Sequence, residues 1–475
     1  MGRRKKIKPK TFFAPKGMHD ILPKDQKYWE RIRVLSRAIF SYYNFSRIDT
    51  PHLEDSELFL QAVGFQTDIV EKQTYSLKTE GGDELTLRPE GTASTVRAYL
   101  QNGFVAEPHP VKFYYQGAFF RHESPQRGRY RELNQLGLEV IGDQNPVADA
   151  EVIHVFSVLL RELGIREFFF HVNSVGCKDC RPSYRSHLIQ YYRPKAKGLC
   201  RDCKKRLKQN PLRLLDCKEE KCRILKKGTP QILDHICEAC KKHFTLMLEF
   251  LDENEIPYIL NPYLVRGLDY YTKTVFEIFT DSDWVGELED VKDEEKKEPP
   301  LEISANDAAG GTENPAAVVE ARPEEKKILK GIAIGAGGRY DDLVSLLGGR
   351  SEPAVGGTLG LERLVMLMKA VGVKLPEEPR MRVFFVQLGD FAKKKSFKII
   401  EELRRAGIPL GESLGRDSVK SQLKIADKSG SDYSLILGQK EAIDSTIIIR
   451  EMSSGIQEVI PQEMLVETLR KKLKR

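Results

Sequence analysis

Apolar residues near the start of the chain recur at helical spacing. Trp29, Ile32, Leu35, Ile39 and Phe40 share one face of a helix predicted over residues 20–45. The stretch FSRIDTPHLE then reads as extended chain ending near Pro51. Residues 85–88 and 111–120 have strand character. VKFYYQGAFF has the aromatic composition of a buried strand, and LNQLGLEVIG (133–142) alternates as its antiparallel partner. PVADAEVIHVFSVLLRELG (146–164) predicts a helix with an acidic first turn, stopped by Gly164. FFFHVNSVG (168–176) predicts a strand, HFTLMLEFLDENEI a helix, and residues 266–279 a further pair of strands. ILKGIAIGAGGRYDDLVSLLGG (328–349) predicts strand, glycine turn and helix, and AVGGTLGLERLVMLM (354–368) strand, turn and helix.

The pattern breaks in three places. Residues 281–326 lose all periodicity and carry 15 Asp/Glu against 5 Lys/Arg, a composition that predicts a disordered acidic insertion or a solvated loop. VKLPEEPR (373–380) marks a linker, beyond which short strands and helices alternate as a compact α/β module over 380–475. Residues 176–255 contain all eight cysteines, and residues 175–250 carry 19 Lys/Arg against 8 Asp/Glu. The expected organisation is a basic arm over 1–10, a core in two parts over 11–175 and 256–372, a largely helical Cys-rich insertion over 176–255, and the C-terminal module. The last carries 19 Lys/Arg against 13 Asp/Glu. Two basic regions separated by an acidic stretch suggest a polyanion contacted at two places, or else solvated surface. There is no run of 18 apolar residues to span a membrane, and no apolar segment follows the basic arm as in a secretory signal. A cytoplasmic location is expected.

The cysteines fall in pairs: Cys177 and Cys180, Cys200 and Cys203, Cys217 and Cys222, Cys237 and Cys240. In a cytosolic chain such pairs suggest metal thiolates rather than disulfides. A two-residue gap lets both sulfurs reach one tetrahedral ion. Eight thiolates suit two Zn²⁺ ions; four suit one, with the rest packed as reduced side chains, and a helical insert without metal is the third reading.

Two further segments carry chemistry. In FFRHE, Arg121 and Glu123 stand at a predicted strand end before a loop rich in Arg, Gly and Pro. An arginine there can meet a phosphate bidentately, which lysine cannot. In GLERL (360–364) a glycine turn opens a helix and Arg363 projects from its first turns. The two arginines can grip a nucleoside triphosphate from opposite sides.

This pair resembles motifs two and three of class II aminoacyl-tRNA synthetases, and the region around 28–51 fits the looser motif one. LRPEGT (87–92), FFRHESPQRGRY (119–130), LVRGLDYYTKTVFE (264–277) and IGAGGRYDDLV (334–344) together resemble the histidyl-tRNA synthetase family. The resemblance implies an α+β core, an antiparallel sheet flanked by helices, with a C-terminal anticodon-binding domain. The glycines at 335, 337 and 338 are then not a dinucleotide fingerprint. It also implies histidine, ATP, Mg²⁺ and tRNA(His) as ligands, and a homodimer. Arg121 would bind the α-phosphate, with Glu123 beside it, while Arg363 would contact the γ-phosphate and cover the adenine. Glu90, Gly91, Thr92 and Gln135 would hold the α-amino group, and Glu139 and Tyr271 the imidazole, with Tyr270 and Tyr340 lining the pocket. Arg266 would neutralise the substrate carboxylate and the α-phosphate as the adenylate forms. Leu133 stands where the family usually carries an adenine-stacking Phe, so apolar cover is kept without the ring. A histidine-sensing regulatory paralogue that partners ATP phosphoribosyltransferase shares this core. It normally lacks both the C-terminal domain and the signature arginine.

Overall fold

A computed structural model describes residues 12–64, 67, 69–125, 128–280, 333–376 and 380–474. The basic arm over 1–10 and the acidic stretch 281–326 lie outside the described residues. The chain divides into two compact units, Met1–Lys374 and Leu375–Arg475.

The first unit is built on an eight-stranded sheet. Its strands are β1 (Ser46–Arg47), β2 (Val111–Phe120), β3 (Glu132–Ile141), β4 (Phe169–Ser174), β5 (Tyr258–Leu260), β6 (Thr272–Phe279), β7 (Gly335–Arg339) and β8 (Ala354–Gly360). Their spatial order is β1-β2-β3-β8-β7-β6-β4-β5. The central pairings are antiparallel and the two edge pairings parallel. The helix Pro23–Tyr42 starts on Pro23, which needs no hydrogen-bond partner for a missing N–H, and buries Trp29, Ile32, Ser36 and Phe40 at spacings of three and four. The helix Pro146–Glu162 packs against it and against the helix Glu238–Glu253. Buried Arg339 ties these layers together: its guanidinium pairs with Asp149, which also faces His243 at 3.4 Å. Both Arg339 and Asp149 are 0% exposed.

Two expectations need correcting. Residues 266–279 hold a single strand, β6, and residues 266–271 before it are a loop rather than a partner strand. Gly335, Gly337 and Gly338 lie within β7 and do not make a turn. They are strand residues because the sheet is crowded there. A Cβ on Gly337 would come within 2.3 Å of the Gly356 carbonyl oxygen and 2.4 Å of the Phe276 ring.

Between β4 and β5 the Cys-rich segment folds into the helices Arg181–Tyr192, Arg201–Gln209, Glu220–Lys226 and Glu238–Glu253. The second unit is a five-stranded sheet of β9 (Val383–Gln387), β10 (Leu410–Glu412), β11 (Tyr433–Leu437), β12 (Thr446–Glu451) and β13 (Gln457–Pro461). They lie in the order β10-β9-β11-β12-β13, with β10, β9 and β11 parallel and the last two added antiparallel. Among the described residues, no helix is long and apolar enough to cross a membrane.

Candidate active site

The site rests on register. Along β3, Gln135 and Glu139 point to one face, and opposite them on β8 stand Gly360 and Gly356. A Cβ on Gly356 would come 1.7 Å from a Glu139 carboxylate oxygen, so glycine there is what admits the carboxylate. On the other side, Tyr115 of β2 lies over Gly91 and Gly137, where added methyls would fall 2.3 and 2.2 Å from its ring. The sheet thus encloses a polar floor beneath small residues.

Three hydroxyls converge on Glu139, which is 0% exposed. Thr92 donates at 2.7 Å, Tyr115 at 3.1 Å, and Tyr340 donates to the other oxygen. Burial pushes the Glu139 carboxyl up to about 8 against these hydrogen bonds, and the nearby Glu90 adds to the rise. Glu90 is itself buried. Its two oxygens accept from the Thr92 and Ala93 backbone N–H groups at 2.8 Å each, in the first turn of the helix Thr92–Gln101. Burial raises the Glu90 carboxyl too, partly offset by those N–H donors and by Arg121. The loop carrying it is fixed by Arg88, which donates to the Ala118 carbonyl at 3.0 Å and the Thr50 carbonyl at 2.7 Å. Tyr270 donates to Glu90 at 3.4 Å, and its ring contacts those of Tyr271 and Tyr340. The Gln135 amide oxygen is buried with no hydrogen-bond partner among the described residues. Two buried acids, an idle amide oxygen and a ring of tyrosines make a polar cluster that favours a ligand with cationic and N–H donor groups.

Arg266 lies at this pocket in the loop before β6. It pairs with Glu277, sits 5.6 Å over the Tyr271 ring, and leaves its Nε without a partner among the described residues. Burial works to lower its pKa, but Glu277 and the two tyrosines outweigh that and keep it charged.

A second cluster is cationic. Arg121 follows the end of β2 and donates to the Pro89 carbonyl at 2.8 Å. Glu123 lies in the loop beyond the strand and faces Arg129 at 3.9 Å. Arg363 stands in the first turn of the helix Leu361–Ala370 and donates to the Gly128 and Ala333 carbonyls. Burial, reinforced by the neighbouring Arg129 and Arg121 guanidiniums, pushes Arg363 down to about 10. Three arginines close enough to repel one another suit a polyanionic ligand. Glu362 accepts from the backbone and side-chain nitrogens of Asn134 at 2.8 and 2.9 Å and locks this helix to β3.

The structure therefore brings Glu90, Gly91, Thr92, Gln135, Glu139, Tyr270, Tyr271, Tyr340 and Arg266 together, and sets Arg121, Glu123 and Arg363 beside them. Sequence reasoning missed Tyr115, Arg129 and Glu277. Stepping back by twos from Arg121 reaches Phe119, Gly117 and Tyr115, so alternation offered a signal for Tyr115. Glu277 closes its ion pair only through the loop fold, and no spacing rule points to it.

The eight cysteines form two groups, Cys177, Cys180, Cys237 and Cys240 in one, and Cys200, Cys203, Cys217 and Cys222 in the other. None is in a disulfide. Sulfur separations of 3.6 to 3.9 Å link Cys177 with Cys180 and Cys237, Cys180 with Cys240, and Cys200 with Cys217. A tetrahedral zinc with bonds of about 2.3 Å requires sulfurs ~3.8 Å apart, so both groups fit that ion.

An antiparallel-centred sheet with one arginine at the end of a hairpin strand and another on a glycine-led helix defines a class II aminoacyl-tRNA synthetase. A family model described as "Histidyl-tRNA synthetase" matches residues 17–288, and one described as "Anticodon binding domain" matches residues 382–472. The chain is 38% identical to a histidine–tRNA ligase of Dehalococcoides mccartyi, covering 97% of this chain and 99% of that one. It is 39% identical to the enzyme of the same name from Halothermothrix orenii, covering 96% and 99%. Among solved structures, apo histidyl-tRNA synthetase from S. aureus superposes with a TM-score of 0.71 at 30% identity, covering 96% of this chain and 99% of that one. A Bacillus halodurans chain described as "ATP phosphoribosyltransferase regulatory subunit/histidyl-tRNA synthetase" shares the fold, with a TM-score of 0.57 at 23% identity. The chain belongs to the histidyl-tRNA synthetase family.

Proposed function

We propose that this chain is a histidine–tRNA ligase, which joins histidine to ATP as histidyl-adenylate, releases diphosphate, and passes the histidyl group to the 3′ end of tRNA(His). The observation that carries the reading is the buried Glu90–Glu139 pair within a ring of tyrosines, with the guanidinium of Arg266 over one of them, Tyr271. Glu90, Gly91, Thr92 and Gln135 hold the ammonium group. The Glu90 oxygens keep lone pairs beyond those used by the helix N–H groups, and the idle Gln135 oxygen supplies another acceptor. Glu139 and Tyr271 hold the imidazole, with Tyr270 and Tyr340 closing the walls. An analogue lacking the ring nitrogens would leave buried polar groups unpaired and be rejected.

The histidine carboxylate oxygen attacks the α-phosphorus of ATP, and the bond to the diphosphate oxygen breaks in line. Arg266 spans the carboxylate and the α-phosphate, with Glu277 fixing its direction, so its charge meets the negative charge developing between them. Arg121 binds the α-phosphate and Glu123 supports the nucleotide beside it. Arg363 contacts the γ-phosphate and covers the adenine. Mg²⁺, when bound, supplies neutralising charge to the phosphate chain. The terminal ribose hydroxyl of the tRNA then attacks the acyl carbon and AMP leaves. The C-terminal unit contacts the anticodon, its Lys and Arg residues meeting backbone phosphates. The Cys-rich segment embraces the acceptor stem and holds structural Zn²⁺. The enzyme works as a homodimer in the cytoplasm.

The test is ATP–diphosphate exchange with purified protein, offered each amino acid in turn, followed by charging of tRNA(His). Exchange with histidine alone, then charging, is the expected result. Histidine binding without exchange would replace the ligase with a histidine-sensing regulator.

A further inference from the structure

Resting on the structural-zinc reading above, we infer that the inner four-cysteine group does more than hold its own domain together. A Zn²⁺ bound by Cys200, Cys203, Cys217 and Cys222 positions the loop that carries Arg266. The connection is short. Cys203 and Cys217 bracket the segment 204–216, and two side chains of that segment reach the loop directly. Asn210 donates to the Asp269 carboxylate at 2.7 Å, and Arg213 donates to the Gly267 carbonyl at 3.3 Å. Arg213, only 6% exposed, also adds its charge opposite Asp269. On the far side the same loop is fastened to the core, where the Asp269 N–H donates to the Val63 carbonyl at 3.2 Å. Arg266 therefore stands in a loop gripped from one side by the core and from the other by a segment whose two ends are pinned by the inner cysteines.

The segment is held at its ends by the cysteines and along its second half by buried Pro211, Leu214 and Leu215. Helix Arg201–Gln209 buries only Cys203. Its start is set by the Cys200 sulfur, which accepts the Cys203 N–H, and the Cys222 sulfur accepts the Cys200 N–H at 3.3 Å. Leu214 and Leu215 are the apolar anchors of the following turn. Cys200, Cys203, Cys217 and Cys222 would hold the ion as thiolates, a net dianionic site in a segment rich in Lys and Arg. The outer group sits at the base of the insertion, where Arg181, next to Cys180, donates to the Tyr271 carbonyl. Cys177 and Cys180 follow β4, and Cys237 and Cys240 open the helix that returns to the core, so that ion closes the neck of the insertion.

The experiment uses the full-length enzyme. Metal analysis of the wild type should find two zinc ions per chain, and cobalt substitution should give the absorption of tetrahedral thiolate sites. C200S/C203S should keep one ion and lose ~10–100-fold in kcat for exchange, the range typical when a supporting contact to a functional site is removed. Because that variant also loses a metal, N210A/R213M serves as the second probe. It should keep both ions and still lower kcat by ~10-fold with KM for ATP unchanged, and R213K should recover part of the loss. No zinc in the wild type would overturn the zinc reading itself. Two ions, with N210A/R213M turning over like the wild type, would leave that reading standing and overturn the positioning role.

Discussion

The interior of the first unit and the C-terminal unit treat charge in opposite ways. In the first unit, Glu90 and Glu139 at the candidate site and the Asp149–Arg339 pair between the helix layers are buried, and their protonation is decided by desolvation set against a few partners. In the C-terminal unit, no ionisable side chain among the described residues is buried. The polar core there is uncharged: Gln422 accepts from the Gln387 backbone N–H at 3.1 Å and donates to the Gln387 and Arg416 carbonyls at 2.8 and 2.9 Å. Its charges pair on the surface, as where Arg404 and Arg405 hold Glu401 down to about 2. Burial makes a charge selective and costly, whereas exposure makes it cheap and interchangeable. A site that must recognise one amino acid uses the first kind, and a surface that meets a phosphate backbone can use the second.

The contrast can be broken most sharply at Asp149. Burial alone would raise its pKa, but Arg339 and then His243 hold it at about 2. Its contribution to stability is therefore present above the ordinary carboxylate range and lost as pH falls through about 2. D149N leaves the Arg339 charge buried and should cost about 3–5 kcal/mol, read as a lower urea midpoint. An unchanged midpoint would mean that the buried pair is structurally idle.

Next is Arg266. R266A should lower kcat for histidine-dependent exchange by ~10²–10³-fold, about 3–4 kcal/mol of transition-state stabilisation, with R266K between the two. A rise confined to KM for histidine would instead assign Arg266 to ground-state binding.

Glu139 gives a smaller effect with a sharper signature. E139Q should raise KM for histidine by ~10–100-fold, the scale of a lost hydrogen bond to a charged group, with KM for ATP barely changed. In the free enzyme its carboxyl is raised to about 8, so it is protonated at neutral pH, and the stability this lends is lost as pH rises through about 8. A ring N–H donated by histidine favours the carboxylate, so binding at pH 7 should release about one proton and at pH 9 almost none. Calorimetry in buffers of different ionisation enthalpy reads this directly, and equal release at both pH values would remove Glu139 from ring recognition.

The smallest effect belongs to the C-terminal unit. E401A should leave the urea midpoint of the protein unchanged within error, because its partners are fully solvated. A clear drop would erase the contrast between the two regions.

Much of this was legible in the chain itself. Helical spacing found Pro23–Tyr42 and Pro146–Glu162 because one face of each must be apolar. Aromatic composition found β2, and alternation found β3 because side chains on a strand change faces at every residue. The short segments around Glu90, Arg121, Arg266 and Arg363 carry functional groups in fixed local order, and local order is what sequence records. The grouping of the cysteines was not recorded there, since four pairs can combine in several ways and only the packing of four short helices selected 177/180 with 237/240. The same holds for Tyr115 over Gly91 and Gly137, Gly356 opposite Glu139, and Glu277 against Arg266. Each joins residues from separate strands or loops. Spacing along the chain carries which residues share a face, while register and burial between strands decide which of those faces meet and how far each charge is taken from water.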